Sequence, residues 1–202
     1  MIEVFADITC PFTHVGLSMV ADKLSRSEVE TNLRVRSWPL EWVNGSSLKA
    51  GPVMAKAEIL RSELGIEQFA GINPGAWPTT TIPALNLAAA ANEIDVRVGL
   101  AVNLELRDAL FERGQDISDP TVLRGIALAH DIPMTDREPS ASVLGDYEDG
   151  KRRHVKGSPD FFAGDDEFFC PTLELGHDDS GQLTAQFDIA GLEDFISKTM
   201  VS

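Results

Sequence analysis

Asp7-Ile8-Thr9-Cys10-Pro11-Phe12-Thr13-His14 joins the apolar run Ile2 to Ala6 to a helical pattern that begins at Pro11. Ile2-Glu3-Val4-Phe5-Ala6 alternates and is rich in β-formers, so it reads as a strand. Proline suits the first helical position, where no backbone donor is needed. The junction therefore sets Cys10 at the first turn of the first helix. Backbone N–H groups there lack intrahelical partners, and their partial positive charge favours a thiolate over a thiol. Cysteines so placed ionise with pKa values of roughly 3.5 to 7.5, against about 8.5 for an ordinary thiol. The thiolate is the nucleophile, so Cys10 is expected to be reactive. The alternative reading of the same residue is a small, buried, apolar side chain.

A strand followed by Cys-Pro-x-x at a helix start resembles the DsbA-like branch of the thioredoxin superfamily, in particular FrnE-like proteins, kappa-class glutathione transferases and 2-hydroxychromene-2-carboxylate isomerases. Two further anchors follow in the expected order. Gly114-Gln115-Asp116-Ile117-Ser118-Asp119-Pro120 is similar to a helix connection in the insertion of FrnE-like proteins, and Val155-Lys156-Gly157-Ser158-Pro159-Asp160-Phe161-Phe162 carries a Gly-x-Pro that opens a strand. The resemblance implies an α/β, thioredoxin-like fold of DsbA type with a large helical insertion. Residues 1–45 and 154–202 would form a discontinuous thioredoxin-like domain, and 46–153 an inserted helical domain. It also implies a cis-proline at Pro159 facing Cys10, with the backbone of Ser158 beside the sulfur, where a thiol substrate can pair like an added strand.

One departure bears directly on mechanism. Dithiol members of the branch carry Cys-x-x-Cys, whereas position 13 is Thr13. The second thiol attacks the mixed disulfide and releases the first cysteine, and Thr13 cannot do so. Its hydroxyl either donates to the Cys10 sulfur or is a tolerated replacement. Cys10 and Thr13 are the candidate catalytic residues, and Pro11, Phe12, His14, Ser158 and Pro159 the candidate substrate-binding ones. His14 lies about one turn beyond Cys10, at the spacing where helix side chains share a face; it reads either as a partner of the thiolate or as a structural histidine. Asp7, just before the cysteine, would oppose ionisation of the sulfur. Cys170, among aromatic residues, reads as an inert buried thiol or as a remote resolving one. No metal is expected: Cys10 and His14 supply two ligands, and His130, His154 and His177 add no third at a recognisable spacing. Phosphate-loop, Gly-x-Ser-x-Gly and His-Glu-x-x-His patterns are missing.

With 202 residues, 43% of them hydrophobic, the chain fits one domain carrying an insertion. A net charge of −15 disfavours nucleic acid as a partner, because phosphate rewards clustered Lys and Arg. The basic knot Lys151-Arg152-Arg153, next to His154 and Lys156, reads as a helix end or as an attractant for an anionic cosubstrate such as a glutathione carboxylate. No signal-peptide pattern and no run of roughly 20 apolar residues is present, so no membrane is expected. With two cysteines far apart in sequence and a reducing compartment, no structural disulfide is expected. A cytoplasmic location is expected.

The remaining pattern alternates between the two periodicities. Leu33 to Trp38 reads as a second strand, parallel to the first, continuing irregularly through Pro39 to Trp42. Asn44 to Pro52 is the exit into the insertion. Helices are expected over Ala55 to Leu64, from a Thr81 cap to Glu93, from Val96 to Arg113, from a Ser118 or Asp119 cap to before Pro133, and over about Ser140 to Arg153. Strands follow at Asp160 to Ala163 and Glu167 to Cys170. A hairpin of Leu173 to Leu175 with Leu183 to Phe187 comes next, then a closing helix over Leu192 to Met200.

These readings together favour a DsbA-family thiol–disulfide oxidoreductase with a single active-site thiol, cycling through mixed disulfides with glutathione or a similar small thiol and holding no tightly bound cofactor. An alternative is a glutathione-dependent transferase or isomerase, in which the helix start stabilises the thiolate of bound glutathione. A third is a non-catalytic binding protein that has kept the fold. The partner is a small-molecule thiol or disulfide, and the kappa-class resemblance leaves a homodimer open.

Overall fold

The computed structural model describes residues 1–27, 32–170, 172–177 and 183–201. Strand β1 (Ile2–Ala6) runs into helix α1 (Pro11–Ser25) and returns as β2 (Leu33–Ser37). Six helices follow before the next strand: α2 (Leu40–Val43), α3 (Ala50–Leu64), α4 (Ile82–Ile94), α5 (Val96–Phe111), α6 (Pro120–Ala129) and α7 (Ala141–Arg152). The chain then forms β3 (Asp160–Ala163), β4 (Asp166–Phe169), β5 (Thr172–His177), β6 (Leu183–Phe187) and α8 (Ile189–Val201). The main sheet has the order β2-β1-β3-β4, and β5 and β6 form a separate antiparallel pair. Strand β1 is parallel to β2, with Val4 opposite Val35, and antiparallel to β3, with Val4 opposite Phe161.

Alternation along β1 decides what each sheet face meets. Ile2, Val4 and Ala6 pack with Leu17 and Val20 of α1, and with Leu192, Phe195 and Ile196 of α8. Phe5 points to the opposite face, where Trp38 and Phe162 meet it edge-on. There the Arg36 guanidinium lies 4.7 Å from the Phe5 ring centroid. Helix α7 comes so close that a Cβ on Gly150 would stand 2.5 Å from the Trp38 ring, which explains a glycine in a helix interior.

The helical block packs on the other side of α1. Ile8, Phe12 and Val15 join Leu60, Leu85, Leu106, Phe111 and Ile126 in one buried cluster. Helix α1 is thus enclosed by sheet on one side and helices on the other, and Pro11 through Leu17 are all buried.

Three local details differ from the sequence expectations. Leu40–Val43 is a short helix, not an irregular continuation of β2, and its first N–H, on Leu40, donates to Asp7 Oδ2 at 2.9 Å. Helix α3 starts at Ala50, ahead of the expected Ala55; Pro52 falls in its first turn, where a missing N–H costs nothing. Thr81 precedes α4 without capping it, because its hydroxyl donates to Asp7 Oδ2 at 3.1 Å. No helix among the described residues is long and apolar enough to cross a membrane.

Candidate functional site

Cys10 is the N-cap residue of α1, with extended dihedrals (φ −79°, ψ 117°), and its carbonyl accepts from His14 N at 3.2 Å. Its side chain is 4% exposed. The sulfur donates to the backbone carbonyl of Ser158 at 2.9 Å, and the Ser158–Pro159 peptide is cis. The Ser158 hydroxyl accepts from Asp7 N at 2.9 Å and lies 2.8 Å from Thr13 Oγ1. Ser158 is therefore the joint of the site: its backbone meets the sulfur and its side chain meets Thr13. The partner of the Thr13 hydroxyl is Ser158, not the sulfur considered in the sequence.

The turn that presents Cys10 is held from below. Asp7 Oδ1 accepts from Thr9 N at 2.8 Å and Thr9 Oγ1 at 2.6 Å, while its other oxygen holds the starts of α2 and α4 through Leu40 and Thr81. Arg107, fully buried on α5, donates through Nη1 to the carbonyls of Asp7 at 2.8 Å and Ile8 at 3.0 Å. Burial pulls its pKa down to about 10, against the attraction of Cys10 and Asp7. The guanidinium stays charged near neutral pH and brings a cation against the Cys10 turn. Sequence reasoning missed Arg107; the available signal was a single basic residue within the apolar stripe Val98, Val102, Leu106, Leu110.

His14 is taken elsewhere. Its Nε2 lies 2.9 Å from Glu112 Oε1, and the ring packs between Phe69 and Phe111. Burial lowers its pKa, and the Glu112 hydrogen bond opposes that shift. Glu112 also accepts from Phe69 N at 2.8 Å and Ala70 N at 3.2 Å, so His14 fastens α1 to the loop after α3.

A cavity of about 290 Å³ opens at the sulfur, lined by Cys10, Pro11, Phe12, Leu40, Asn44, Leu48, Lys56, Ser158, Phe169 and Cys170. Four predicted site residues meet there: Cys10, Pro11, Phe12 and Ser158. Thr13 and Pro159 stand behind the wall, and His14 does not reach it. Sequence reasoning missed Asn44, Lys56 and Phe169 as lining. Lys56 is the cation of the cavity, with Nζ 5.7 Å from the Phe12 ring centroid. The basic knot at the end of α7 is matched internally: Lys151 pairs with Glu148, Arg152 with Asp149, Arg153 with Glu3, and Lys156 with Glu167. A larger groove of about 430 Å³, between α1 and α8 at Met19, Lys23 and Leu192, is remote from Cys10. No group of three or more His, Cys, Asp or Glu among the described residues is placed to hold a metal ion.

Asp160, the residue after Pro159, is fully buried, and its Oδ2 accepts from Lys156 N at 2.8 Å. Burial pushes its carboxyl up to about 7, opposed by the Lys156 N–H and reinforced by Glu167. A carboxyl whose folded pKa lies above its unfolded value near 4 favours the fold below about pH 4, and that contribution is lost as pH rises to about 7. The loss amounts to roughly 4 kcal/mol at most. Asp160→Asn, which keeps an acceptor for Lys156 N, should therefore lose less stability than the native chain between pH 4 and 7. Urea unfolding at several pH values measures this, and identical pH profiles would contradict it.

The DSBA-like thioredoxin domain model matches residues 1–180. Among curated proteins none matches. Among solved structures, the chain is similar to a Nitrosomonas europaea protein with a provisional assignment as a protein disulfide isomerase (TM-score 0.67, 14% identity, 98% of this chain and 95% of that one). It is also similar to a 2-hydroxychromene-2-carboxylate isomerase (TM-score 0.60, 12% identity, 84% and 88%). A third similar structure is the cytosolic disulfide reductase DsbM of Pseudomonas aeruginosa with GSH (TM-score 0.54, 13% identity, 100% and 99%). At these identities the structural likeness speaks for the fold, which agrees with the β2-β1-β3-β4 sheet. The family model spans most of the chain, and the protein belongs to the DSBA-like thioredoxin domain family.

Proposed function

We propose that this protein is a thiol–disulfide oxidoreductase that uses Cys10 as its nucleophile and a small thiol of the glutathione class as cosubstrate. The observation that carries this reading is the position of Cys10: N-cap of α1, hydrogen-bonded to the carbonyl before Pro159, in the wall of a cavity. The attacking species is the thiolate left when the Sγ proton, which the Ser158 carbonyl accepts in the resting structure, is lost at the start of α1. The thiolate attacks a disulfide RSSR′, forming Cys10–S–S–R and expelling R′S⁻. Thr13 cannot resolve this species, so the release of Cys10 requires attack by a further thiol, with glutathione as the ultimate reductant.

The walls select the partner. Cys10 is almost enclosed, so the reacting sulfur must enter the cavity past Phe12, Leu40 and Leu48. Lys56 supplies a positive charge there for a carboxylate, which suits glutathione. A cytoplasmic, reducing setting goes with this reading, and the similar DsbM structure is described as a cytosolic disulfide reductase with GSH.

A second reading is a glutathione-dependent isomerase or transferase. It draws on the likeness to the 2-hydroxychromene-2-carboxylate isomerase and on Thr13 standing where a second cysteine would be. The deciding assay is glutathione-supported reduction of bis(2-hydroxyethyl) disulfide, coupled to glutathione reductase. Turnover proportional to protein and dependent on Cys10 is expected. A rate no higher than that of glutathione alone would overturn the oxidoreductase reading.

A further inference from the structure

We propose that Cys170 is the resolving thiol, forming an intramolecular disulfide with Cys10 across the cavity. This rests on the reading of Cys10 as the nucleophile. The chain has two cysteines, separated by 160 positions in sequence, and the fold brings both into the wall of one cavity of about 290 Å³. Both also belong to the same buried cluster.

The two cysteines bracket the Ser158–Pro159 segment. Cys10 Sγ is 2.9 Å from the Ser158 carbonyl, and Cys170 N donates to the Pro159 carbonyl at 3.0 Å. Cys170 follows β4, whose last residue, Phe169, pairs with Asp160 just after Pro159. Its side chain is 7% exposed, and its backbone is in the left-handed region at φ +41°. That conformation favours glycine, and a side chain there carries strain. A thiol is nevertheless present, on the cavity that holds the nucleophile, in a chain whose adjacent resolving position is Thr13.

The chemistry balances as follows. Cys10 attacks RSSR′, releasing R′SH and leaving Cys10–S–S–R. The Cys170 sulfur then attacks Cys10 Sγ, the S–S bond to R breaks, and the Cys170 proton passes to the leaving RS⁻. The substrate disulfide has been reduced to two thiols and the two cysteines oxidised to one disulfide, a transfer of two electrons. Two molecules of glutathione reduce that disulfide again and leave as glutathione disulfide. Glutathione is then the reductant of a protein disulfide, and the adduct at Cys10 is a transient species.

The test is intact-mass spectrometry of the full chain after brief exposure to glutathione disulfide under acid quench, with peptide mapping, on native, Cys170→Ser and Cys170→Gly protein. Glycine accepts the positive φ, so one variant keeps the backbone unstrained. The native chain is expected to lose two hydrogens and yield a linked Cys10–Cys170 peptide, with little adduct. Both variants are expected to hold one glutathione at Cys10, with a lifetime at least ten times longer. A native chain that accumulates the adduct as persistently as the variants would overturn the role of Cys170 while leaving Cys10 as nucleophile. Variants that take up no glutathione at Cys10 would overturn both.

Discussion

Cys10→Ser should lower glutathione-supported disulfide turnover by roughly a thousandfold or more, because a serine hydroxyl stays protonated and does not attack sulfur. The substitution is otherwise mild. Serine is a good N-cap residue, and its hydroxyl can donate to the Ser158 carbonyl as the thiol does at 2.9 Å. The melting temperature should move by only a few degrees, so lost activity reports chemistry, not unfolding. The same variant separates the rival reading. An enzyme whose helix start activates the thiolate of bound glutathione would keep isomerase or transferase activity with serine at this position. A Cys10→Ser protein retaining more than about a tenth of native disulfide turnover would contradict a nucleophilic role for the sulfur.

Asp7→Ala should cost about 3 to 5 kcal/mol in stability. This carboxylate takes four hydrogen bonds, from Thr9 N, Thr9 Oγ1, Leu40 N and Thr81 Oγ1. Alanine would strand those donors, three of which are in buried bonds, and would leave the buried Arg107 without its nearby opposite charge. Asp7→Asn should fall between, because a carboxamide presents an N–H where one of the present donors needs an acceptor. Urea unfolding at pH 7 reads the effect. A loss under 1 kcal/mol would mean that the β1 terminus, α2 and α4 are held together by packing without this group. The larger consequence concerns the site, because the same turn carries Cys10.

Much of the frame was legible because its signals are local. The alternation of Ile2 to Ala6, the proline at the first turn of α1, the second alternating run and the Gly-Ser-Pro before Asp160 each mark an element within a few residues. The sequence order of those elements resembles the branch to which the family model assigns the chain. The hairpin of β5 with β6 was readable for the same reason.

The parts that were not legible depend on contacts between distant segments. Helical spacing leaves His14 open as a thiolate partner or as a structural histidine; Cys10 is the N-cap with extended dihedrals, so the i, i+4 rule does not apply to the pair, and the ring meets Glu112 instead. Helix α1 is buried along its whole first half, leaving no amphipathic contrast to say which side chain faces which neighbour. Arg107 and Lys56 come to the site from the helical block, on α5 and α3, and nothing in their local sequence refers to Cys10. Thr81 looked like a helix cap because its spacing to Pro83 fits one; its hydroxyl instead serves Asp7, 74 positions away in sequence.

The measurement that tests the central claim most directly is the rate at which Cys10 in Cys170→Gly protein reacts with glutathione disulfide from pH 5 to 8, set against an unstructured peptide carrying the same Cys-Pro-Phe-Thr sequence. A Cys10 presented at the start of α1 in the wall of the cavity should react at least tenfold faster than the peptide. Equal rates across the range would contradict it.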